Sequence, residues 1–182
     1  MIALSDRPLA FVDIETTGLD PLIHEMIEIA VIREDREPWV TKIAPEKLYT
    51  ASLKALEINH YSAEAWKDAP RMVRVISEIQ TLLSDCVVVA HNAGFDSSFI
   101  LKHLREHRVV KGISHHWLDT ATLAYHLLVP RGLESLSLAA ICDFLEISNT
   151  GAHSALIDAE RCQKVFQKLV NLPTEESMIS GA

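Results

Sequence analysis

The sequence has no hydrophobic run long enough to cross a membrane, and its start lacks the basic-then-apolar pattern of a signal peptide. We therefore expect no membrane association and a cytoplasmic location. Cysteine is scarce, since Cys86, Cys142 and Cys162 are the whole set and lack the spacing of a metal site. Each lies among apolar residues, which predicts reduced thiols in the core.

Positive charge is also in short supply, because 17 Lys and Arg residues oppose 25 Asp and Glu residues and the net charge is −8. This balance argues against non-specific binding of nucleic acid through a wide basic face. It does not exclude a nucleic-acid enzyme, since a cluster of metal-binding acids adds negative charge that bound cations cancel. The 182 residues suit one domain, which we predict over residues 1–172, with a flexible tail over 173–182.

The order of the predicted elements indicates an α/β fold. Three β-rich segments come first and predict an antiparallel meander, and the order α-β-α-β-α-α that follows fits a mixed sheet flanked by helices. The predicted strands are Leu9–Glu15, Met26–Arg33, Trp39–Ala44, Cys86–Ala90 and Trp117–Leu118, and the predicted helices are Met72–Leu83, Ser97–Glu106, Thr120–Leu128, Ser135–Leu145 and a last one that includes Ala155 to Leu169.

The first predicted strand carries two acids two positions apart, within the segment Phe-Val-Asp-Ile-Glu-Thr-Thr-Gly at residues 11–18. Successive strand side chains alternate between faces, so Asp13 and Glu15 project from the same side. Two neighbouring carboxylates on one face repel each other and lose hydration unless a cation lies between them. The pair therefore predicts a divalent metal site whose remaining ligands lie elsewhere in the chain.

Two further acids lie at or near predicted helix starts. Asp96 follows a buried strand and begins a predicted helix, where an ordinary N-cap is the alternative role. Asp158 lies beside the apolar stripe of the last helix, where an acid without a cation or a hydrogen-bond partner is costly. His153 precedes that helix in a glycine-containing loop, and its alternative is an ordinary surface histidine.

In combination these segments resemble the DEDDh 3′→5′ exonucleases, a group that includes polymerase proofreading subunits, RNase T and exonuclease X. The motif D-x-E-T-T/x-G matches residues 13–18, H-N-A-x-F-D matches residues 91–96, and H-x₄-D matches residues 153–158. The tyrosine variant of the superfamily requires a tyrosine in the third segment, and this chain has none there. The resemblance covers about residues 8–170 and implies an RNase H-like fold with a mixed five-stranded sheet flanked by helices.

The resemblance also implies hydrolysis of phosphodiester bonds with two divalent metal ions. Mg²⁺ or Mn²⁺ matches a set of hard oxygen ligands, which the resemblance places at Asp13, Glu15, Asp96 and Asp158. In many relatives the residue at the position of Asp96 acts through a bound water. His153 is expected to deprotonate the attacking water, because its pKa lies near neutrality. The expected product is a nucleoside 5′-monophosphate.

A turn and an asparagine are expected to meet the 3′ end of a single-stranded nucleic acid. Backbone N–H groups of the turn formed by Thr16, Thr17 and Gly18 can hold a free 3′-hydroxyl where the glycine permits close approach, and an ordinary turn glycine is the alternative. Asn92 either orients a group at the scissile bond or shapes the turn between strand and helix. Both roles stay open on the sequence alone.

Tyr61 lies where the sequence departs from the family pattern. Many relatives carry a His-Gly pair before an apolar residue that wedges between the last two bases, whereas this chain has Asn59 and His60 before Tyr61. Tyr61 either stacks on a base, worth roughly 1–3 kcal/mol in single-strand binders, or packs against a following helix capped by Ser62. The departure concerns substrate preference and not the hydrolytic chemistry.

Three functions are consistent with these observations. The first is a 3′→5′ exonuclease of single-stranded DNA, or also of RNA, either freestanding or as the partner of a DNA polymerase. The second is an exonuclease of RNA ends or short oligonucleotides; RNase T-like enzymes are homodimers that lend basic patches across the interface, a pattern that the acidic balance opposes. The third is a non-catalytic polymerase-associated scaffold, which should have lost one of five key residues that are all present here.

Overall fold

The structure contains the mixed five-stranded sheet that the sequence predicts. The computed structural model describes residues 3–151 and 154–173. Its strands are β1 (Leu9–Thr16), β2 (Met26–Arg33), β3 (Trp39–Lys42), β4 (Val87–Ala90) and β5 (Trp117–Asp119), in the order β3-β2-β1-β4-β5. The first three pair in antiparallel fashion, whereas β4 pairs in parallel with β1 and with β5. The sheet is therefore an antiparallel meander extended by two parallel strands.

The α-helices in the described part of the chain lie on both sides of this sheet. They are α1 (Leu53–Ile58), α2 (Met72–Leu83), α3 (Ala93–Glu106), α4 (Thr120–Leu128), α5 (Leu138–Phe144) and α6 (Ala155–Val170), with short 3₁₀ turns at Leu4–Asp6, Leu48–Thr50 and Val129–Arg131. The predicted bounds of α2 and α4 are confirmed. Within the described residues, no helix combines the length and the apolar composition that a membrane crossing requires.

Strand β1 is buried on both faces, so its alternating side chains enter two different cores. Val12 packs in the core that includes buried residues of α2 and α3. Phe11 faces the opposite side and packs against Phe166 of α6, with ring centroids 5.7 Å apart. Because Asp13 and Glu15 follow Phe11 at intervals of two residues, their side chains project from the face of the sheet that α6 covers. The fold thus presents the acid pair to the last helix.

The three cysteines lie in the core, as the sequence predicts. Cys86, Cys142 and Cys162 are all buried and form no disulfide. Burial also raises the pKa of the Cys162 thiol, so this side chain behaves as a small apolar residue between α6 and the sheet.

The structure corrects several predicted boundaries. Helix α1 was not predicted, although Ser52 caps it by accepting a backbone N–H at 3.4 Å. The helix predicted after Ser62 is wrong, since that segment forms turns. Helix α3 begins at Ala93 and not Ser97, because Asn92 adopts a left-handed conformation (φ 61°, ψ 50°) that leads directly into the helix. In addition, β1 extends to Thr16, β3 ends at Lys42, β4 begins at Val87, β5 extends to Asp119, and α5 spans only Leu138–Phe144.

The predicted division at residue 172 stays a prediction. Of the proposed tail, Pro173 is described and residues 174–182 lie outside the described residues.

Candidate active site

Three carboxylates meet where β1 passes beside the first turn of α6. Asp13 and Glu15 project from β1 and Asp158 projects from α6, and one oxygen of each lies within 4.8 Å of the others. Glu15 is only 8% exposed, and the side chain of Asp158 is 15% exposed. The structure therefore brings together three of the four predicted metal ligands.

The electrostatics of this cluster disfavour three ionised carboxylates in the absence of a bound cation. Burial, followed by the charges of Asp96, Glu15 and Asp158, raises the pKa of Asp13 well above its ordinary value. Burial, followed by the charges of Asp158 and Glu28, raises the pKa of Glu15 to about 8. A hard divalent cation such as Mg²⁺ or Mn²⁺ takes oxygen ligands and would remove this repulsion. The donor set therefore fits a divalent metal ion.

Asp96 lies close to the cluster but is not one of its three members. It is in the first turn of α3, is 3% exposed, and is not the N-cap, a position that Asn92 occupies. The capping alternative is therefore wrong. Burial raises the pKa of Asp96, backbone hydrogen bonds lower it, and the charge of Glu15 raises it again. This placement beside the cluster agrees with a role through a bound water, which the resemblance implies.

His153 lies outside the described residues, so its assignment as the general base stays a prediction. The described chain resumes at Ser154, which is the N-cap of α6 and whose backbone carbonyl accepts the N–H of Asp158 at 3.0 Å.

The turn after β1 is held by hydrogen bonds to neighbouring segments. Thr17 is fully buried, donates its N–H to the Glu25 carbonyl at 2.8 Å and accepts the Glu25 N–H on its hydroxyl at 2.9 Å. Its carbonyl accepts the N–H of Ser52 at 2.8 Å. The hydroxyl of Thr16 donates to the Gly18 carbonyl at 2.7 Å. Both threonine hydroxyls therefore serve the fold, and contact of this turn with a substrate stays a prediction.

Gly18 is needed for a reason that the sequence did not show. A Cβ at this position would lie 2.4 Å from atoms of the His24 ring. The Nδ1 of His24 accepts the N–H of Asp20 at 3.0 Å, so the ring is held in place. The glycine thus permits the close approach of a histidine within the protein, in addition to the approach of a substrate that we predict.

Asn59 is a positioning residue that the sequence reasoning missed. It is 8% exposed, and its Nδ2 donates to the carbonyl of Thr16 at 2.7 Å. This bond joins the end of α1 to the end of β1, next to the acid pair. The signal in the sequence is the departure from the family pattern at Asn59 and His60, which, on the sequence alone, we relate to the role of Tyr61 and not to the turn after β1.

Tyr61 packs against the segment that follows it. Its ring centroid lies 5.0 Å from that of Trp66, and Trp66 is buried and donates its Nε1–H to the Ile27 carbonyl at 2.9 Å. The packing alternative is therefore confirmed, although the partner is a turn and not the predicted helix. Because Tyr61 stays partly exposed, its stacking on a base remains a prediction.

Asn92 shapes the turn between β4 and α3. Its backbone N–H donates to Oδ1 of Asp119 at 2.8 Å, and the same oxygen caps α4 by accepting the N–H of Ala121 at 3.1 Å. The structure supports the turn-forming role of Asn92, and contact of its side chain with a substrate stays a prediction.

Fold and site together define the class of protein. A mixed five-stranded sheet with two acids on its central strand and a third acid on α6 agrees with the RNase H-like fold that the sequence motifs imply. Comparison with known families makes the assignment specific, because the sequence profile of an exonuclease family matches residues 10–166. The chain therefore belongs to this exonuclease family.

Individual relatives agree with this assignment. Ribonuclease T of Wigglesworthia glossinidia brevipalpis is 32% identical over an alignment of 182 positions, which covers 88% of this chain and 83% of that protein. A PolC-type DNA polymerase III of Thermotoga maritima is 31% identical over 173 residues, which cover 92% of this chain but only 12% of the polymerase. E. coli exonuclease I in complex with a dT13 oligonucleotide has the same fold, with a TM-score of 0.77 over 96% of this chain and 43% of that one at 17% identity.

Proposed function

We propose that the chain is a metal-dependent 3′→5′ exonuclease that releases nucleoside 5′-monophosphates from single-stranded DNA. The observation that carries the proposal is the group formed by Asp13, Glu15 and Asp158, whose oxygens lie within 4.8 Å of one another. Membership of the exonuclease family supports phosphodiester hydrolysis. The structural likeness to an exonuclease I bound to dT13 supports single-stranded DNA as the substrate.

The proposed roles are those that the family resemblance implies for these residues. Asp13, Glu15 and Asp158 would hold two divalent ions, Mg²⁺ or Mn²⁺, and Asp96 would hold a water beside them. When bound, such ions activate the attacking water and stabilise charge on the leaving oxygen. His153 would accept the proton of that water.

The substrate end would be oriented by groups next to the acids. The backbone of the Thr16–Gly18 turn would hold the 3′-hydroxyl, and Asn59 would fix the turn through its hydrogen bond to the Thr16 carbonyl. Tyr61 and Asn92 would contact the terminal nucleotides. These contacts would place the scissile phosphate beside the acids, so that the chain shortens one nucleotide at a time.

A second candidate is an exonuclease of RNA ends or short oligonucleotides. The similarity to ribonuclease T along most of both chains favours it. The similarity to part of a PolC-type polymerase instead favours DNA, with a DNA polymerase as a working partner.

We infer a cytoplasmic location from the buried, reduced cysteines. A non-catalytic scaffold is disfavoured, because the chain keeps a buried acid cluster that is costly to retain.

The test compares single-stranded DNA and RNA of matched sequence, each labelled at the 5′ or the 3′ end, with Mn²⁺. We expect stepwise shortening from the 3′ end, abolished by Asp13→Asn and unchanged by Asp68→Asn, a matched change at an exposed turn residue. Asp13→Asn removes an acid whose ionised form its neighbours disfavour, so the melting temperature of this variant in EDTA should not fall. Shortening from the 5′ end, or full activity of Asp13→Asn, would refute the proposal. Faster shortening of RNA would favour the second candidate.

A further inference from the structure

A buried arginine lies against the acid cluster and has no part in the proposed chemistry. Arg161 is on α6, one turn after Asp158, and is 4% exposed. Its Nη1 donates to Oδ1 of Asp158 at 2.6 Å, and the two side chains are 5% and 15% exposed. A strong, charge-assisted hydrogen bond therefore holds one oxygen of a proposed metal ligand.

The remainder of this guanidinium is poorly satisfied. Its Nε and Nη2 are buried and have no hydrogen-bond partner among the residues that the structure describes. Burial of charged donors without partners is costly, and an apolar side chain of similar length would fill the same space without that cost. Among the described residues, Asp158 is the hydrogen-bond partner that the structure gives this guanidinium, so the charge of Arg161 serves the carboxylate.

The next basic residue of α6 has a different environment. Lys164 lies 4.0 Å from Glu160, and the two side chains are 57% and 46% exposed. Solvent screens a surface pair of this kind. Arg161 instead places its charge in the interior beside Asp158, whose oxygen lies within 4.8 Å of oxygens of Asp13 and Glu15.

We propose that Arg161 is a positioning residue whose guanidinium supplies positive charge at Asp158 until a metal ion binds. The inference rests on the proposed function, since it requires that the acid cluster binds divalent ions. The guanidinium fixes the carboxylate and offsets part of the repulsion from Asp13 and Glu15. Because a bound divalent ion then lies near a second positive charge, Arg161 must weaken metal binding while it stabilises the metal-free cluster.

The test measures the linkage between metal binding and stability in the full chain. Arg161→Gln keeps a hydrogen-bond donor and removes the charge, Arg161→Lys keeps the charge, and Lys164→Gln removes an equal charge from the exposed face of the same helix. Each melting temperature is measured in EDTA and in saturating Mn²⁺, and the Mn²⁺ affinity is measured by calorimetry. The difference between the two melting temperatures isolates the effect of Mn²⁺, because a loss of packing that lowers both equally drops out of it.

We expect Arg161→Gln to show a larger Mn²⁺-induced rise than the wild type and a Mn²⁺ affinity roughly tenfold tighter, as loss of a nearby positive charge requires. Arg161→Lys and Lys164→Gln should respond as the wild type does. An equal or smaller rise in Arg161→Gln would overturn the inference, as would a rise in Arg161→Lys that matches that of Arg161→Gln. If the wild type itself did not respond to Mn²⁺, the proposed metal-dependent function would fail first.

Discussion

At the scale of single residues, Glu15 combines burial with like charges on two sides. It lies opposite Glu28 in the pairing of β1 with β2 and beside Asp158 of α6, and its pKa is raised from 4.5 to about 8. The folded protein therefore keeps a proton on Glu15 over a pH range in which the unfolded chain has released it. The resulting stabilisation is complete below the unfolded pKa and is lost as the pH rises through the folded pKa.

We predict that the metal-free protein becomes less stable as the pH rises from about 5 to about 8, by up to about 1.4 kcal/mol per pH unit for each such group. Urea denaturation in EDTA at a series of pH values measures the slope. Glu15→Gln should flatten it, whereas Glu57→Gln, at an exposed position on α1, should not. Saturating Mn²⁺ should abolish or reverse the slope, because the ligands must be deprotonated to bind. An unchanged slope in Glu15→Gln would contradict the prediction.

At the scale of secondary-structure elements, the sequence predicts what periodicity encodes. Helix α2 has a stripe of buried residues at helical spacing, and its bounds were correct. Helix α1 spans six residues and has no fully buried one, so it leaves no apolar stripe to detect. The early start of α3 depends on the left-handed backbone of Asn92, which side-chain patterns do not report.

The same distinction applies to the site. Alternation along β1 placed Asp13 and Glu15 on one face, and the spacing of the motifs pointed to Asp158. The distances among them depend on how α6 packs across the sheet, which is a tertiary property. The bonds that hold the turn after β1 come from residues such as Ser52 and Asn59, far along the chain. No local pattern encodes such contacts.

The link between α1 and β1 gives a prediction at this scale. Asn59→Ala leaves the buried carbonyl of Thr16 without its donor, so we expect a loss of about 1–3 kcal/mol in the free energy of unfolding. The released turn should also raise KM for the substrate more than it lowers kcat. Urea denaturation and steady-state kinetics measure the two effects. Asn171→Ala, which removes an exposed bond at the end of α6, is the control, and an equally small effect of both changes would disprove the role of Asn59.

At the scale of the whole molecule, the chain combines an acidic balance with a basic segment that begins on α3 and continues past its end. The net charge is −8, and basic residues recur from Lys102 to Lys111. Lys102, however, donates to the carbonyl of Pro21 at 2.7 Å, and His103 is buried. Lys102 and His103 thus serve the fold, and the exposed remainder of the segment, which includes Arg105 and Arg108, is a small surface for phosphates.

A chain with so small a basic surface should bind single-stranded DNA with weak dependence on salt. We predict that the affinity of Asp13→Asn for an oligothymidylate, measured by fluorescence anisotropy at constant Mg²⁺, falls less than about tenfold between about 50 and 200 mM salt, as expected for about two neutralised phosphates. Arg105→Gln should reduce the slope further, because it removes one exposed cation. A loss on the order of a thousandfold would contradict the prediction, since it requires several more phosphate contacts than the exposed residues of this segment supply. Sedimentation at the same salt concentrations would then test whether a second copy supplies them.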